Sequence, residues 1–171
     1  MVIEILFVAV PQLVNMFNNL ITCFRDDRGT QPSTSFFNHG EIMDTCTILK
    51  EVKSIAVVGI SDKPDRDSGR IAEYLKRNGY NVYGIHPILK NVGDIPVVKD
   101  FSEIPEQIDV VNLFVNGARV GEMVEKIIEV KPKVVWMQLG VYNEEAKANL
   151  EAKGIKVIMN TCIATEHRFC R

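Results

Sequence analysis

Short apolar runs alternate with amphipathic stretches through most of the chain after residue 50. Five runs have the length and the composition of strands buried on both faces of a parallel sheet; they span residues 54–59, 81–85, 109–115, 133–137 and 156–159. Three stretches between them have the apolar spacing of helices that pack one face on a sheet; they span residues 69–78, 118–130 and 143–153. This alternation predicts an α/β fold, with a Rossmann-like, doubly wound parallel sheet in a single domain.

Residues 1–42 differ from the rest of the chain. The stretch 25–40 is rich in polar residues, glycine and proline and lacks apolar periodicity, which predicts loop or disorder. The apolar stretch 2–24 leaves two interpretations open: a short helix broken at Pro11, or translation from a misassigned start, with Met43 as the natural one. We therefore predict an N-terminal extension at residues 1–42, partly disordered, and the Rossmann-like domain at residues 43–171.

The composition is that of a globular domain, and its charge disfavours one class of ligand. A chain of 171 residues with 46% hydrophobic and 25% charged residues can bury a stable core without disulfides or structural metal ions. Its formal net charge of -2 gives no reason to expect nucleic-acid binding, which needs a concentrated basic face. The apolar run 5–10 is interrupted by Pro11 and is far shorter than the roughly 20 residues that span a bilayer, so neither a membrane span nor an export signal is predicted.

The four cysteines are too few for a disulfide framework, so we expect reduced thiols in a cytoplasmic protein. Cys162, His167 and Cys170 provide only three soft ligands with no second pair, and no metal site is predicted from them. Cys162 follows the last predicted strand. It is either a small buried residue or a thiol close enough to a thiol-bearing ligand to form a mixed disulfide.

The loop after the first strand has the chemistry of a phosphate site. Ligands of open parallel sheets bind beyond the carboxyl ends of the strands, where the strand order reverses. Gly59 permits a tight turn, and Ser68 is a candidate N-cap of a helix whose free N–H groups attract anions. Three cations suit phosphate; they are Lys63, Arg66 and Arg70. The alternative interpretation is a solvated strand-to-helix loop without a ligand.

This loop is not the dinucleotide fingerprint. The G-x-G-x-x-G spacing is absent after Gly59, and the second strand ends in 84-GIHP-87 without the acidic residue that holds a ribose of NAD. A dehydrogenase that uses NAD is therefore disfavoured. An NADP-dependent Rossmann oxidoreductase remains the alternative, with Arg66 and Lys90 placed to take the 2′-phosphate.

Four motifs in order resemble the stand-alone CoA-binding domain proteins, which are similar to the N-terminal CoA-binding domain of the succinyl-CoA synthetase α subunit. They are the stretches 56–68, 74–83, 134–141 and 159–168, within a resemblance that covers roughly residues 46–171. The resemblance implies coenzyme A as the ligand. It implies that Gly59, Ile60 and Ser61 contact the pantetheine and diphosphate.

The remaining contacts that the resemblance implies lie after the other strands. The turn from Pro87 onward would approach the adenosine. His86 stands at the end of the second strand and leaves two interpretations open, a contact with the ligand or a histidine that serves its own turn. Val115 and Asn116 would line the adenine side, and Gln138 would face the pantetheine arm. The family usually places a basic residue directly after the proline. Here Ile88 occupies that position, and Lys90 or Arg70 would have to bind the 3′-phosphate.

The chain has no residues left for the second domain in which succinyl-CoA synthetase carries its phosphorylated histidine, so ligase activity is not implied. A G-x-S-x-G nucleophile elbow is also absent around Ser61. The sequence therefore favours a binding protein over an enzyme, a carrier or regulatory module of acyl-CoA metabolism that binds CoA or acyl-CoA. It leaves open a homo-oligomer or a protein partner.

Overall fold

The computed structural model describes residues 39–171, in which a seven-stranded sheet is covered by helices on both faces. The strands are β1 (Ser54–Val58), β2 (Asn81–Ile85), β3 (Asn91–Val92), β4 (Ile95–Val98), β5 (Val110–Leu113), β6 (Val134–Met137) and β7 (Lys156–Ile158). The helices are α1 (His39–Glu51), α2 (Asp67–Arg77), α3 (Gly117–Val130), α4 (Glu144–Glu151) and α5 (Ile163–Phe169), with a 3₁₀ turn at Phe101–Glu103.

The strand order is β3-β4-β2-β1-β5-β6-β7, and β1 lies at the point where it reverses. Both neighbours of β1 run parallel to it: Val58 is paired with Ile85 of β2 on one side and with Leu113 of β5 on the other. The other strand pairs of the described sheet are also parallel, except that β3 forms an antiparallel hairpin with β4 at one edge. The predicted Rossmann-like sheet in a single domain is therefore confirmed.

Apolar side chains fill the space on both faces of the sheet. On one face α3 and α4 pack on the strands, and Val111 and Ile127 are fully buried there. On the other face α1, α2 and α5 pack on the strands, and Leu75, Trp136 and Ile163 are fully buried. A sheet covered on both faces explains the nearly continuous apolar runs of the central strands.

Some predicted boundaries need correction. The helix after β1 begins at Asp67, its N-cap is Arg66, and Ser68 is buried one residue inside the helix, so the predicted N-cap is wrong. The β3–β4 hairpin and α5 were not predicted. Helix α1 begins at His39, and the division of the chain between residues 42 and 43 remains a prediction. The predictions for residues 1–38 lie outside the described residues.

Two cysteines are bonded to each other. Cys46 on α1 forms a disulfide with Cys170, which follows α5, so the expectation of reduced thiols is wrong for this pair. Cys162 has a free thiol and is partly buried, and Cys23 lies outside the described residues. The bond occupies the sulfur of Cys170, which is one of the three ligands considered for zinc. Within the described part of the chain, no group of three His, Cys, Asp or Glu side chains is placed to hold a metal ion.

Tyr74, Tyr80 and His167 form an aromatic cluster. The ring of His167 on α5 lies edge-on to Tyr74 and Tyr80, with both centroids at 5.5 Å, and its Nδ1 is 2.9 Å from the Tyr74 hydroxyl. The Tyr80 hydroxyl donates to the Leu49 carbonyl at 2.7 Å. Burial, helped by the nearby charge of Arg171, lowers the pKa of His167. The cluster thus links α1, α2 and α5 into one layer.

None of the described helices has the length and the apolar character needed to cross a bilayer.

Candidate functional site

A large cleft opens at the carboxyl ends of β1, β2 and β5, on either side of the point where the strand order reverses. Its volume of about 1120 Å³ is slightly above the range of about 300–1,000 Å³ that is typical of small-molecule sites. Its lining comes from the loop after β1 and the start of α2, the turn after β2, the end of β5 and one face of α3. The cleft is therefore where the topology of an open parallel sheet predicts a ligand.

Hydrogen bonds within the loop after β1, and one to β2, fix the conformation of this loop. Gly59 adopts a φ of +78°, which favours glycine, while its N–H donates to the Ile85 carbonyl at 3.1 Å. The Ser61 hydroxyl accepts from the Lys63 N–H at 3.2 Å, and the Arg66 N–H donates to the Lys63 carbonyl at 3.1 Å. These bonds form a tight turn whose charged side chains are exposed along the cleft.

The first turn of α2 packs directly on this loop. Gly69 is buried, and a Cβ at this position would overlap the Ser61 carbonyl oxygen. The two backbone segments can approach so closely only because residue 69 has no side chain. The first helical N–H groups have no partner within the helix and carry the positive end of its dipole. Asp67 and Ser68 from this turn line the cleft.

The turn after β2 is organised by His86. Its Nδ1 accepts two backbone N–H groups, from Ile88 and Leu89, each at 3.2 Å. An Nδ1 that accepts carries no proton, so the neutral ring has its hydrogen on Nε2 and acts there as a donor. Pro87 lies at the cleft wall next to this ring, and Leu89 adds an apolar surface. Both roles considered for His86 are thus compatible: it serves its own turn and lines the cleft.

The end of β5 forms the opposite wall. Phe114 and Val115 are partly buried and line the cleft. Asn116 is the N-cap of α3, and its side chain accepts from the Arg119 N–H at 3.0 Å. The cap uses the Asn116 oxygen, which leaves its amide hydrogens as the groups available to a ligand.

Ten of the thirteen predicted site residues line the cleft: Gly59, Ile60, Ser61, Lys63, Arg66, Ser68, His86, Pro87, Val115 and Asn116. The other three lie elsewhere. The Arg70 side chain pairs with Asp67, and Lys90 is exposed beyond the turn. Gln138 is buried beside the sheet, where its amide donates to Asn112 at 3.0 Å.

The sequence reasoning missed the charged residues that come from α3 and the carboxylates of the first loop. The cleft is lined by four cations and by four carboxylates, so it is not uniformly positive. The cations are Lys63, Arg66, Arg119 and Lys126, and the carboxylates are Asp62, Asp65, Asp67 and Glu122. A signal was present in the sequence, because residues 119, 123 and 126 follow the predicted strand with the spacing of a single helix face.

Cys162 is the N-cap of α5, after β7, and is not among the residues that line this cleft. Its thiol remains free, which is the condition that a mixed disulfide requires. The hypothesis of a bond to the thiol of CoA therefore remains a prediction.

A parallel sheet with a cleft at its topological switch point, walled by two helix N-termini, defines a Rossmann-like nucleotide-binding domain. A family model described as a CoA binding domain matches residues 53–168. The chain belongs to this family of CoA-binding domains, which confirms the resemblance seen in the sequence motifs.

The chain is also similar to a curated protein and to solved structures. The uncharacterized protein YneT of Bacillus subtilis (strain 168) is 37% identical over 120 residues, which span 70% of this chain and 89% of the relative. The solved structure of a hypothetical protein from Pyrococcus horikoshii OT3 is 34% identical, with a TM-score of 0.73, covering 84% of this chain and 98% of that one. A dinucleotide-forming acetyl-coenzyme A synthetase from Ca. Korarchaeum cryptofilum matches at 23% identity and a TM-score of 0.56, over 63% of this chain and 26% of that one, a likeness that shows the fold alone.

Proposed function

We propose that this protein binds coenzyme A or an acyl-CoA in the cleft, as a carrier or regulatory module of acyl-CoA metabolism rather than as an enzyme. The observation that carries the proposal is the junction between β1 and α2. There a tight backbone turn at Gly59 and the first turn of α2 meet at the edge of the cleft. Such a junction offers amide donors and a positive dipole end to a diphosphate.

The rest of the cleft suits the other parts of CoA. Leu89 and Val115 provide apolar surface for an adenine ring, on opposite walls. Lys63 and Arg66 have no carboxylate partner among the described residues, so their charges are available to phosphate. Gln138, for which a pantetheine contact is predicted, is buried, does not line the cleft and donates from its amide to Asn112. We therefore expect Gln138 to support the strand end rather than to touch the ligand.

The chemistry of His86 supports a role in binding. A general base needs an unprotonated nitrogen that faces the substrate. In His86 the unprotonated nitrogen is Nδ1, which already accepts two backbone N–H groups. The ring is therefore suited to donate a hydrogen bond from Nε2 to a ligand oxygen. We also propose a cytoplasmic location, where CoA is available, and the Cys46–Cys170 disulfide would be an unusual feature of a protein in that compartment.

Titration calorimetry with CoA, acetyl-CoA, NAD and NADP tests the proposal. We expect CoA or acetyl-CoA to bind and both nicotinamide dinucleotides to bind far more weakly. A preference for NADP would support the oxidoreductase alternative, and the absence of binding by all four would refute a nucleotide site. Native mass spectrometry of freshly purified protein provides an independent measurement, because a co-purified ligand identifies itself by its mass.

A pair of substitutions locates the site. Arg66→Gln removes a charge from the cleft lining and should weaken CoA binding by about 1–3 kcal/mol, the range of a charge-assisted hydrogen bond. Arg70→Gln removes the same charge from a side chain that does not itself line the cleft and that pairs with Asp67 of the lining, and it should have the smaller effect. Equal affinities of both variants and the unmodified protein would contradict the proposed phosphate site.

A further inference from the structure

The basic residues expected at the adenosine end of the ligand do not line the cleft. CoA differs from its precursor dephospho-CoA by a phosphate on the 3′-oxygen of the ribose, and a site that selects CoA needs a cation there. Lys90 is exposed beyond the turn that follows β2, and Arg70 is paired with Asp67. Another part of the structure must provide this charge if the protein makes the distinction.

One face of α3 has the required chemistry. Arg119, Met123 and Lys126 are spaced by four and three residues, lie on the same side of the helix and all line the cleft. Met123 is partly buried between the two cations and offers an apolar contact. This α3 face (Arg119, Met123 and Lys126) therefore combines positive charge with a surface that suits a ribose or an adenine.

The two cations differ in their freedom to bind a ligand. The Lys126 ammonium lies 2.7 Å from Asp100 Oδ2, and this bond lowers the pKa of the Asp100 carboxyl. Arg119 has no ion-pair partner among residues 39–171, its side chain is exposed, and its backbone is fixed by the Asn116 cap. A guanidinium offers parallel donors that match a phosphate. Arg119 is therefore the better candidate.

We propose that Arg119 binds the 3′-phosphate of CoA, so that α3, instead of the turn after β2, distinguishes CoA from dephospho-CoA. This inference rests on the proposed function. It assigns to Arg119 the role of a specificity-determining residue. Met123 would pack beside the adenosine, and Lys126 would attract the ligand electrostatically without contacting it. The diphosphate remains at the junction of β1 and α2.

The test measures the affinities of two ligands for the unmodified protein and for two variants. Calorimetry with CoA and with dephospho-CoA is carried out on the unmodified protein, on Arg119→Gln and on the control Arg77→Gln. Arg77 is an exposed arginine at the end of α2, where it pairs with Glu73. It does not line the cleft. We expect Arg119→Gln to weaken CoA binding by about tenfold or more, as loss of a charge-assisted bond predicts, and to leave dephospho-CoA unchanged. Arg77→Gln should leave both affinities unchanged.

The outcomes separate this inference from the function on which it rests. If Arg119→Gln weakens both ligands equally, Arg119 does not read the 3′-phosphate and the inference fails, although CoA binding stands. An unchanged CoA affinity in Arg119→Gln would also overturn the inference. If the unmodified protein binds neither ligand, the proposed function itself fails. Because Arg119 is exposed, the variant should keep the melting temperature of the unmodified protein, which shows that any loss of affinity is local.

Discussion

The bond between Cys46 and Cys170 joins α1 to the end of α5 and closes a loop with a sequence separation of 124 residues. In the chain-entropy description a bond that closes a loop of this length restricts the unfolded chain by about 5 kcal/mol at 25 °C. Domains typically have free energies of unfolding of about 5–15 kcal/mol. Reduction of this one bond, or its removal by Cys46→Ser, should therefore remove a large part of the stability.

The reduced protein should remain folded, because other contacts hold α1. Leu49 and Val52 stay buried, the Tyr80 hydroxyl donates to the Leu49 carbonyl, and the Thr45 hydroxyl donates to Glu166 at 3.1 Å. These contacts are few compared with those of the central strands. Without the bond, α1 should thus open first, on its own, before the sheet unfolds.

Denaturation and hydrogen exchange measure both effects. We expect Cys46→Ser and the reduced protein to melt at least about 10 °C below the oxidised protein, with faster amide exchange in α1 than in the sheet. Cys162→Ser is the matched control, because it removes a free thiol at a helix N-cap and should change stability by less than about 1 kcal/mol. Equal melting temperatures for oxidised protein and Cys46→Ser would refute the reasoning.

Three further predictions concern the cleft, the aromatic cluster and the free thiol. Gly69→Ala places a methyl group on the Ser61 carbonyl, separates α2 from the loop and should weaken CoA binding by about tenfold or more, measured by calorimetry. Burial lowers the pKa of His167 in the folded protein, so as the pH falls the unfolded chain binds a proton at this residue before the folded protein does. Stability should therefore be complete above about pH 6.5 and fall as the pH drops towards the folded-state pKa, in urea titrations at several pH values. Protein treated with oxidised CoA should carry an adduct at Cys162 in peptide mass spectra.

Each of these has its own control. Gly154→Ala strains a glycine with a φ of +78° far from the cleft, so it should lower stability but leave CoA affinity unchanged. His167→Gln should flatten the pH profile below about pH 6.5, and an unchanged slope would show that another group causes it. Absence of an adduct on Cys162 would end the mixed-disulfide hypothesis.

Most of the sheet could be predicted because its strands are buried on both faces. A continuous apolar run such as 54–58 has few other interpretations when helix-length stretches flank it. The β3–β4 hairpin was missed because β3 has only two residues and β4 contains Pro96, and proline argues against a strand unless the strand lies near an edge. Helix α1 was missed because its first residues belong to a polar stretch without periodicity.

The site was predicted as far as strand ends determine it. Gly59, His86 and Asn116 come directly after strands, so the topology of the sheet brings their backbones together regardless of side-chain conformation. The direction of a long side chain depends on its neighbours, which is why Arg70, paired with Asp67, lies outside the lining. The residues of α3 were missed because ligand contacts were expected only from the loops at the strand ends, whereas a helix beside a cleft contributes a stripe of side chains along its length.

The close contact between Gly69 and the Ser61 carbonyl has a consequence for how this family can diverge. The junction between the first loop and α2 is a contact between main-chain segments, and peptide groups are present whatever side chains the loop carries. Exchange of the exposed residues at 62–66 would alter the charge around a bound nucleotide without removing the amides. Substitutions along this loop can therefore change the ligand preference, provided that residues 59 and 69 remain glycine.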